Sequence, residues 1–363
     1  MKIEKTVESV VNRFIKSAKS SIVKQEVIQK ERIDSTSLHS IDISTTNLDI
    51  EVTSHKEQHI DIVLKTYEDG PQLEIDQEND SLKITAFQSN QIQTFFGVYP
   101  STKVQVLVPS AVVEEWDVRT GSGDVRFSEI TMNMLSVNSG SGDIELSTID
   151  ANQVKLRSSS GDIKAKNLKV EACQIGTSSG DMELQRLTLI NLQANASSGD
   201  INITNIQGES LEIQTASGSV ELKDIYMVTG SIISSSGDVD ANHVRIGKLL
   251  GSTKSGSIDM KDFTGSIKGL VVSGDLKLQL RGECAANLDA KSGDIIVELE
   301  NEIGLNATVD ITSKSEDITT NLPLECKDDS SRLFGVIGAG ENAIRITSLT
   351  GDVKVYKEEV ADF

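Results

Sequence analysis

NSGSGDIEL, residues 138–146, is a polar turn feeding a short alternating stretch, and its core, Ser141-Gly142-Asp143, comes back along the chain. SSGDIKA begins at Ser159, SSGDMEL at Ser178, SSGDINI at Ser197, SSGDVDA at Ser235 and KSGDIIV at Lys291. Aligned on the third motif residue, the series runs Asp124, Asp143, Asp162, Asp181, Asp200, Ser219, Asp238, Ser257, Asp275 and Asp294. Successive members are nineteen residues apart, with one interval of eighteen between Ser257 and Asp275. A fixed period near twenty marks stacked supersecondary units.

The apolar positions say that the units are extended. The residue after the motif is apolar in every unit, from Val125 and Ile144 to Ile295. So is the residue two further on, from Phe127 and Leu146 to Val297, usually with a polar residue between. Such alternation is that of a strand with one buried face. Thirteen residues after the motif, Val137, Leu156, Ile175, Ile213 and Leu270 mark a second strand. The prediction is an all-β chain, a parallel β-solenoid of about 19-residue, two-strand coils, its apolar columns stacked at about 4.8 Å. Glycine at the corner permits a turn that a Cβ resists, and Ser and Asp accept local backbone N–H bonds. A rival reading makes Asp124, Asp143, Asp162, Asp181 and Asp200 a ladder of cation ligands. Ser219 and Ser257 stand in for Asp without disturbing the period, which favours the turn role.

The flanks differ. Residues 33–115 hold strand signals without the nineteen-residue metre, such as IDISTTNLDIEV and SLKITAF, and read as an N-terminal β capping region. Regular repeats are expected over 116–312, with Trp116 as a capping hydrophobe, and an irregular C-terminal cap over 313–363. Over 1–32 the pattern predicts a short amphipathic basic helix: Ile3, Val7, Val10, Phe14, Ala18 and Ile22 fall within an arc of ~140°. That segment carries eight basic and four acidic residues, whereas the chain as a whole has a formal charge of −20. Lys5, Arg13, Phe14, Lys16 and Lys19 are its candidate contacts with an anionic membrane or a partner. Docking on the solenoid and self-association are the other readings of this helix.

The acidic balance excludes nucleic acid as a partner. Cys173, Cys284 and Cys326 are odd in number and widely spaced, so neither a disulfide framework nor a structural zinc site is expected, and Cys173 reads as a small core residue. No spanning helix or signal peptide is evident. His55 and His59 have the four-residue spacing of a zinc-protease helix, but the segment reads as a strand and solvent exposure is expected. No phosphate loop, dinucleotide fingerprint or nucleophile elbow occurs in its proper setting, so no cofactor is expected. Glycan-cleaving β-helices build clefts from long turn loops. The near-constant interval here leaves no room for them, and the chain is read as no enzyme.

SLKITAF, VQVLVPS, VRTGSGDVRF, the serial SSGD strands and the late LTGDVKVY together resemble the bacterial DUF4097 β-strand-repeat family, often labelled "putative adhesin". The likeness spans about residues 35–357. It implies a β-strand-repeat domain without catalytic residues, and some Gram-positive relatives are linked to cell-envelope stress. The expected function is a non-enzymatic interaction scaffold, cytoplasmic or at the inner face of the membrane, with an unidentified protein or envelope component as partner. The alternative is a cell-surface adhesin or envelope-binding protein of the same fold.

Overall fold

The computed structural model describes residues 25–35, 38–87, 100–300, 306–314, 318–324 and 331–358. Its described residues form 23 strands and no helix, a parallel β-solenoid with a repeat of about 19 residues. The chain divides into two compact units, residues 1–142 and 143–363. The basic helix expected over 1–32 falls mostly on residues 1–24, outside the described part. Residues 26–32 belong instead to strand β1 (Glu26–Asp34), which pairs antiparallel along its length with β4 (His59–Tyr67). That ladder satisfies one edge of β1 and leaves β4 bonded on both sides, since β7 takes its other edge, which outweighs a helical pattern carried mainly by residues upstream.

The first unit also contains β2 (Ser40–Thr45), β3 (Asp49–His55), β5 (Gln72–Glu78), β6 (Ser81–Phe87), β7 (Lys103–Pro109), β8 (Glu115–Thr120) and β9 (Val125–Ser139). Its coils do not stack in chain order. The coil made of β2 and β3 lies between that of β6 and β7 and that of β8 and β9, parallel to both. Ile41 is thus flanked by Leu82 and Trp116, and Val52 by Val106 and Phe127. β5 and β4 then cover β6 and β7 in antiparallel fashion. Trp116 is therefore an interior residue, 1% exposed and edge-on to Phe127 at 5.3 Å.

The second unit begins with the regular coils: β10 (Ile144–Ser158), β11 (Ile163–Thr177), β12 (Met182–Ala196), β13 (Ile201–Thr215), β14 (Val220–Ser234), β15 (Val239–Thr253), β16 (Ile258–Ser273) and β17 (Leu276–Ser292). The two strands expected per coil run on as one ladder, bent where the alternation of buried and exposed residues changes phase. From β10 to β16 the first bend places a non-glycine residue in the left-handed region: Thr148 (φ 58°), Asn167 (57°), Arg186 (55°), Asn205 (60°), Asp224 (55°), His243 (56°) and Asp262 (51°); in β17 Gly282 (62°) takes it. Asn, Asp and His tolerate that region better than other side chains. Several of these residues tie adjacent coils: Arg186 Nε donates to Asn167 Oδ1 at 2.6 Å, and His243 Nδ1 meets Asp224 Oδ1 at 2.7 Å. Cys173 lies in an apolar column between Val154 and Leu192, and burial pushes its thiol up to about 12.

The eighteen-residue interval has a local cause. Ile246 pairs with Gly265 but Lys248 with Ser266, so β16 is one residue short at the second bend, where Gly265 takes φ 129°. The alternation beyond it shifts by one, and Leu270, counted above with the core, points outward while Val271 is buried. The last strands are β18 (Ile295–Leu299), β19 (Ala307–Ser313), β20 (Ile318–Thr320), β21 (Arg332–Ile337), β22 (Asn342–Ser348) and β23 (Val353–Lys357). Here too stacking departs from chain order. β22 and β23 lie between the coil of β17 and β18 and that of β19 and β20, while β21 covers β19 antiparallel.

Candidate functional site

The recurring motif is consumed by its own corner. Asp162 Oδ1 accepts the backbone N–H of Asp181 at 2.9 Å, Asp181 that of Asp200 at 2.9 Å, and Asp200 that of Ser219 at 2.8 Å. Asp143 does the same for Asp162 at 2.8 Å, and Asp49 for Asp124 at 3.0 Å. Three residues before six of the motif glycines (Gly123, Gly142, Gly161, Gly180, Gly218 and Gly237), a buried hydroxyl accepts the glycine N–H, as Ser158 does for Gly161 at 2.9 Å and Thr177 for Gly180 at 3.0 Å. Glycine itself is required by close approach: a Cβ on Gly180 or Gly199 would overlap the preceding coil's glycine carbonyl. The motif is thus a Ser/Thr-x-x-Gly-Asp clamp, and the column of hydroxyls was readable in the sequence as a second small-polar position. The Asp column commits one oxygen per carboxylate to this clamp rather than gathering ligands round a point.

A different surface offers room. Within the second unit a trough of about 670 Å³ crosses β14, β15, β16, β17, β22 and β19. At the usual strand spacing its length is about 24 Å. Ladder pairing sets its lining, since Thr229, Lys248, Ser266 and Ala285 follow one another across successive coils. Ser266, Ala285 and Ala343 keep the floor low, and Leu250 supplies exposed apolar surface above the buried Leu249, Ile267 and Ile344. Lys248, Lys268 and Arg345 stand along it, and its carboxylate, Asp310, is held by Arg332 at 3.0 Å. Leu250 is 39% exposed, and Ile233 and Leu270 extend the apolar surface beyond it. Sequence reasoning passed over this trough. The signal was Leu250 in an outward column otherwise reading Lys155, Gln174, Gln193, Glu212 and Ser231.

Other clusters are smaller. Glu221, Asp240 and Asp259 share an outward column beside a 250 Å³ cleft. Partial burial, helped by Asp259, Asp238 and Glu221, raises the Asp240 carboxyl above its ordinary range. His243, bonded to Asp224, also has Tyr226 Oη 3.4 Å from its Nε2. His55 and His59 come together with Asp61, their ligand-type atoms all within 4.8 Å. Among the described residues no helix is long and apolar enough to cross a membrane. Lys5, Arg13, Phe14, Lys16 and Lys19 lie outside them.

A family model described as Toastrack DUF4097 matches residues 38–223 and 191–356. Among solved structures, a "putative adhesin" from Parabacteroides merdae ATCC 43184 is 15% identical, the match covering 77% of this chain and 98% of that one at a TM-score of 0.36. A "putative lipid binding protein" from Parabacteroides distasonis ATCC 8503 is also 15% identical, covering 93% of this chain and 99% of that one, with a TM-score of 0.30. A "putative cell adhesion protein" from Clostridium sporogenes ATCC 15579 is 8% identical, covering 92% and 100%, with a TM-score of 0.22. No curated protein matches the sequence.

Proposed function

Because the chain belongs to the Toastrack DUF4097 family, we propose that it is a non-enzymatic binding scaffold whose working surface is the trough across β14 to β19. The occupant proposed is an extended anionic amphiphile, one apolar chain with a negatively charged end. The observation that carries this is the pairing of an apolar floor with Lys248, Lys268 and Arg345 on a chain of net charge −20. A cationic wall on so acidic a protein selects for negative charge. The volume lies within the range of small-molecule sites.

The place of action proposed is the inner face of a membrane, with the basic, amphipathic residues 1–24 making contact through anionic headgroups. Sedimentation with anionic vesicles should then be lost on deleting residues 1–24 and weakened by salt. The alternative, a surface-exposed adhesin of the same fold, predicts digestion by protease added to intact cells. For the trough, the test is titration with a fluorescent long-chain fatty acid. Leu250→Gln and Lys268→Glu should each weaken binding by roughly tenfold, in line with a lost apolar or charged contact. Binding indifferent to both substitutions, or none at all, removes this reading.

A further inference from the structure

The histidine pair at the other end of the sequence has a geometry that a solvated turn does not require. His55 ends β3, His59 opens β4, and Asp61 lies two residues further along β4. The turn between them is pinned, since the hydroxyl of Ser35, only 2% exposed, donates to the carbonyl of Gln58 at 2.8 Å. The two rings meet edge to face with centroids 5.2 Å apart.

Tautomers follow from the partners. His55 Nε2 lies 2.7 Å from the His59 carbonyl oxygen. A carbonyl only accepts, so Nε2 carries the hydrogen and Nδ1 the lone pair. An imidazole that donates its second nitrogen to a backbone carbonyl is oriented as metal-ligating histidines are. His59 Nε2 and Asp61 Oδ2 are 3.2 Å apart, sharing one hydrogen. Two atoms bound to a tetrahedral zinc ion at about 2.1 Å stand about 3.4 Å from each other, so an ion replacing that hydrogen would need little movement.

We infer that His55, His59 and Asp61 form a site for a divalent transition-metal ion, with zinc or copper the ions suited to two imidazoles and a carboxylate. Arg32 is its built-in competitor. It sits directly opposite Asp61 on β1, its Nε 2.7 Å from Oδ1 and its Nη2 3.1 Å from Oδ2. Its side chain is 66% exposed and free to swing into solvent when a doubly charged ion arrives.

Calorimetric titration of the full chain with zinc chloride, repeated with copper chloride, tests the assignment. One equivalent should bind. His55→Ala and His59→Ala should weaken it at least tenfold, and Arg32→Gln should tighten it severalfold because the competing cation is gone. His39→Ala and His243→Ala should leave it unchanged. Melting curves without metal identify any alanine variant that fails to fold, and the glutamine replacement at the same position then takes its place. Absence of stoichiometric uptake, or undiminished uptake in the His59 variant, overturns the inference.

Discussion

At Gly180, alanine would set a methyl carbon against the carbonyl oxygen of Gly161, which belongs to a neighbouring coil and cannot retreat without moving its own ladder. Gly180→Ala should therefore cost about 1–3 kcal/mol in urea denaturation. The neighbouring carboxylate works differently. Asp181→Ala removes the acceptor for the N–H of Asp200 and should cost about 1 kcal/mol, whereas Asp181→Asn keeps an oxygen there and should cost less. Asp240 acts in the opposite sense. Its folded-state affinity for a proton is raised, so its contribution favours the fold at low pH and is lost as pH rises through the raised value. Asp240→Asn should consequently raise the melting temperature near neutral pH and leave it unchanged in strong acid. A larger gain in acid than at neutrality would contradict the sign.

Strands could be read where one side of the alternation is invariant, as at Ile144 and Leu146 and their equivalents in later coils. The bends could not be read so directly, because the sequence signal for a left-handed residue is diluted. Asn167, Asn205, Asp224, His243 and Asp262 suit that conformation, but Thr148 and Arg186 adopt it as well. For a β-branched residue the position is strained. Thr148→Asn should stabilise the chain by about 0.5–1 kcal/mol, seen as a higher urea midpoint with unchanged slope. Leu270 was misassigned because a one-residue deletion at the Gly265 bend reverses which side chains face inward. The strand over Glu26–Asp34 was missed for another reason: its partner, β4, is remote in sequence, and no periodicity inside the segment announces it.

Over the whole molecule, the stacking of regular coils was legible because each repeats its predecessor, while the order of the irregular ones was not. Nothing local in Ile41 or Ile344 says that each will be flanked on both sides. The trough escaped for a related reason, since it is assembled from strands that the sequence separates by more than a hundred residues, from Thr229 to Arg345. Position in the stack decides what a truncation does. Removing residues 341–358 takes away a coil with neighbours on both faces, and should abolish cooperative thermal unfolding of the second unit. Disrupting β19 by Val309→Asp, nearer the end, should leave a sharp but lower transition. Circular dichroism melts compare the two.

Both units place a coil between two others that are adjacent to each other in the sequence or separated from it by an intervening segment, and this dictates an order of events. β19 and β20 cannot reach their final berth until β22 and β23, which follow them in the chain, have docked on β17 and β18. A partly synthesised chain halted before Asn342 therefore has an empty slot that an earlier segment can occupy in the wrong register. Under tension the same arrangement resists peeling: drawing out β22 and β23 must rupture hydrogen bonds on two flanks at once, like pulling a card from the middle of a deck rather than lifting the top one.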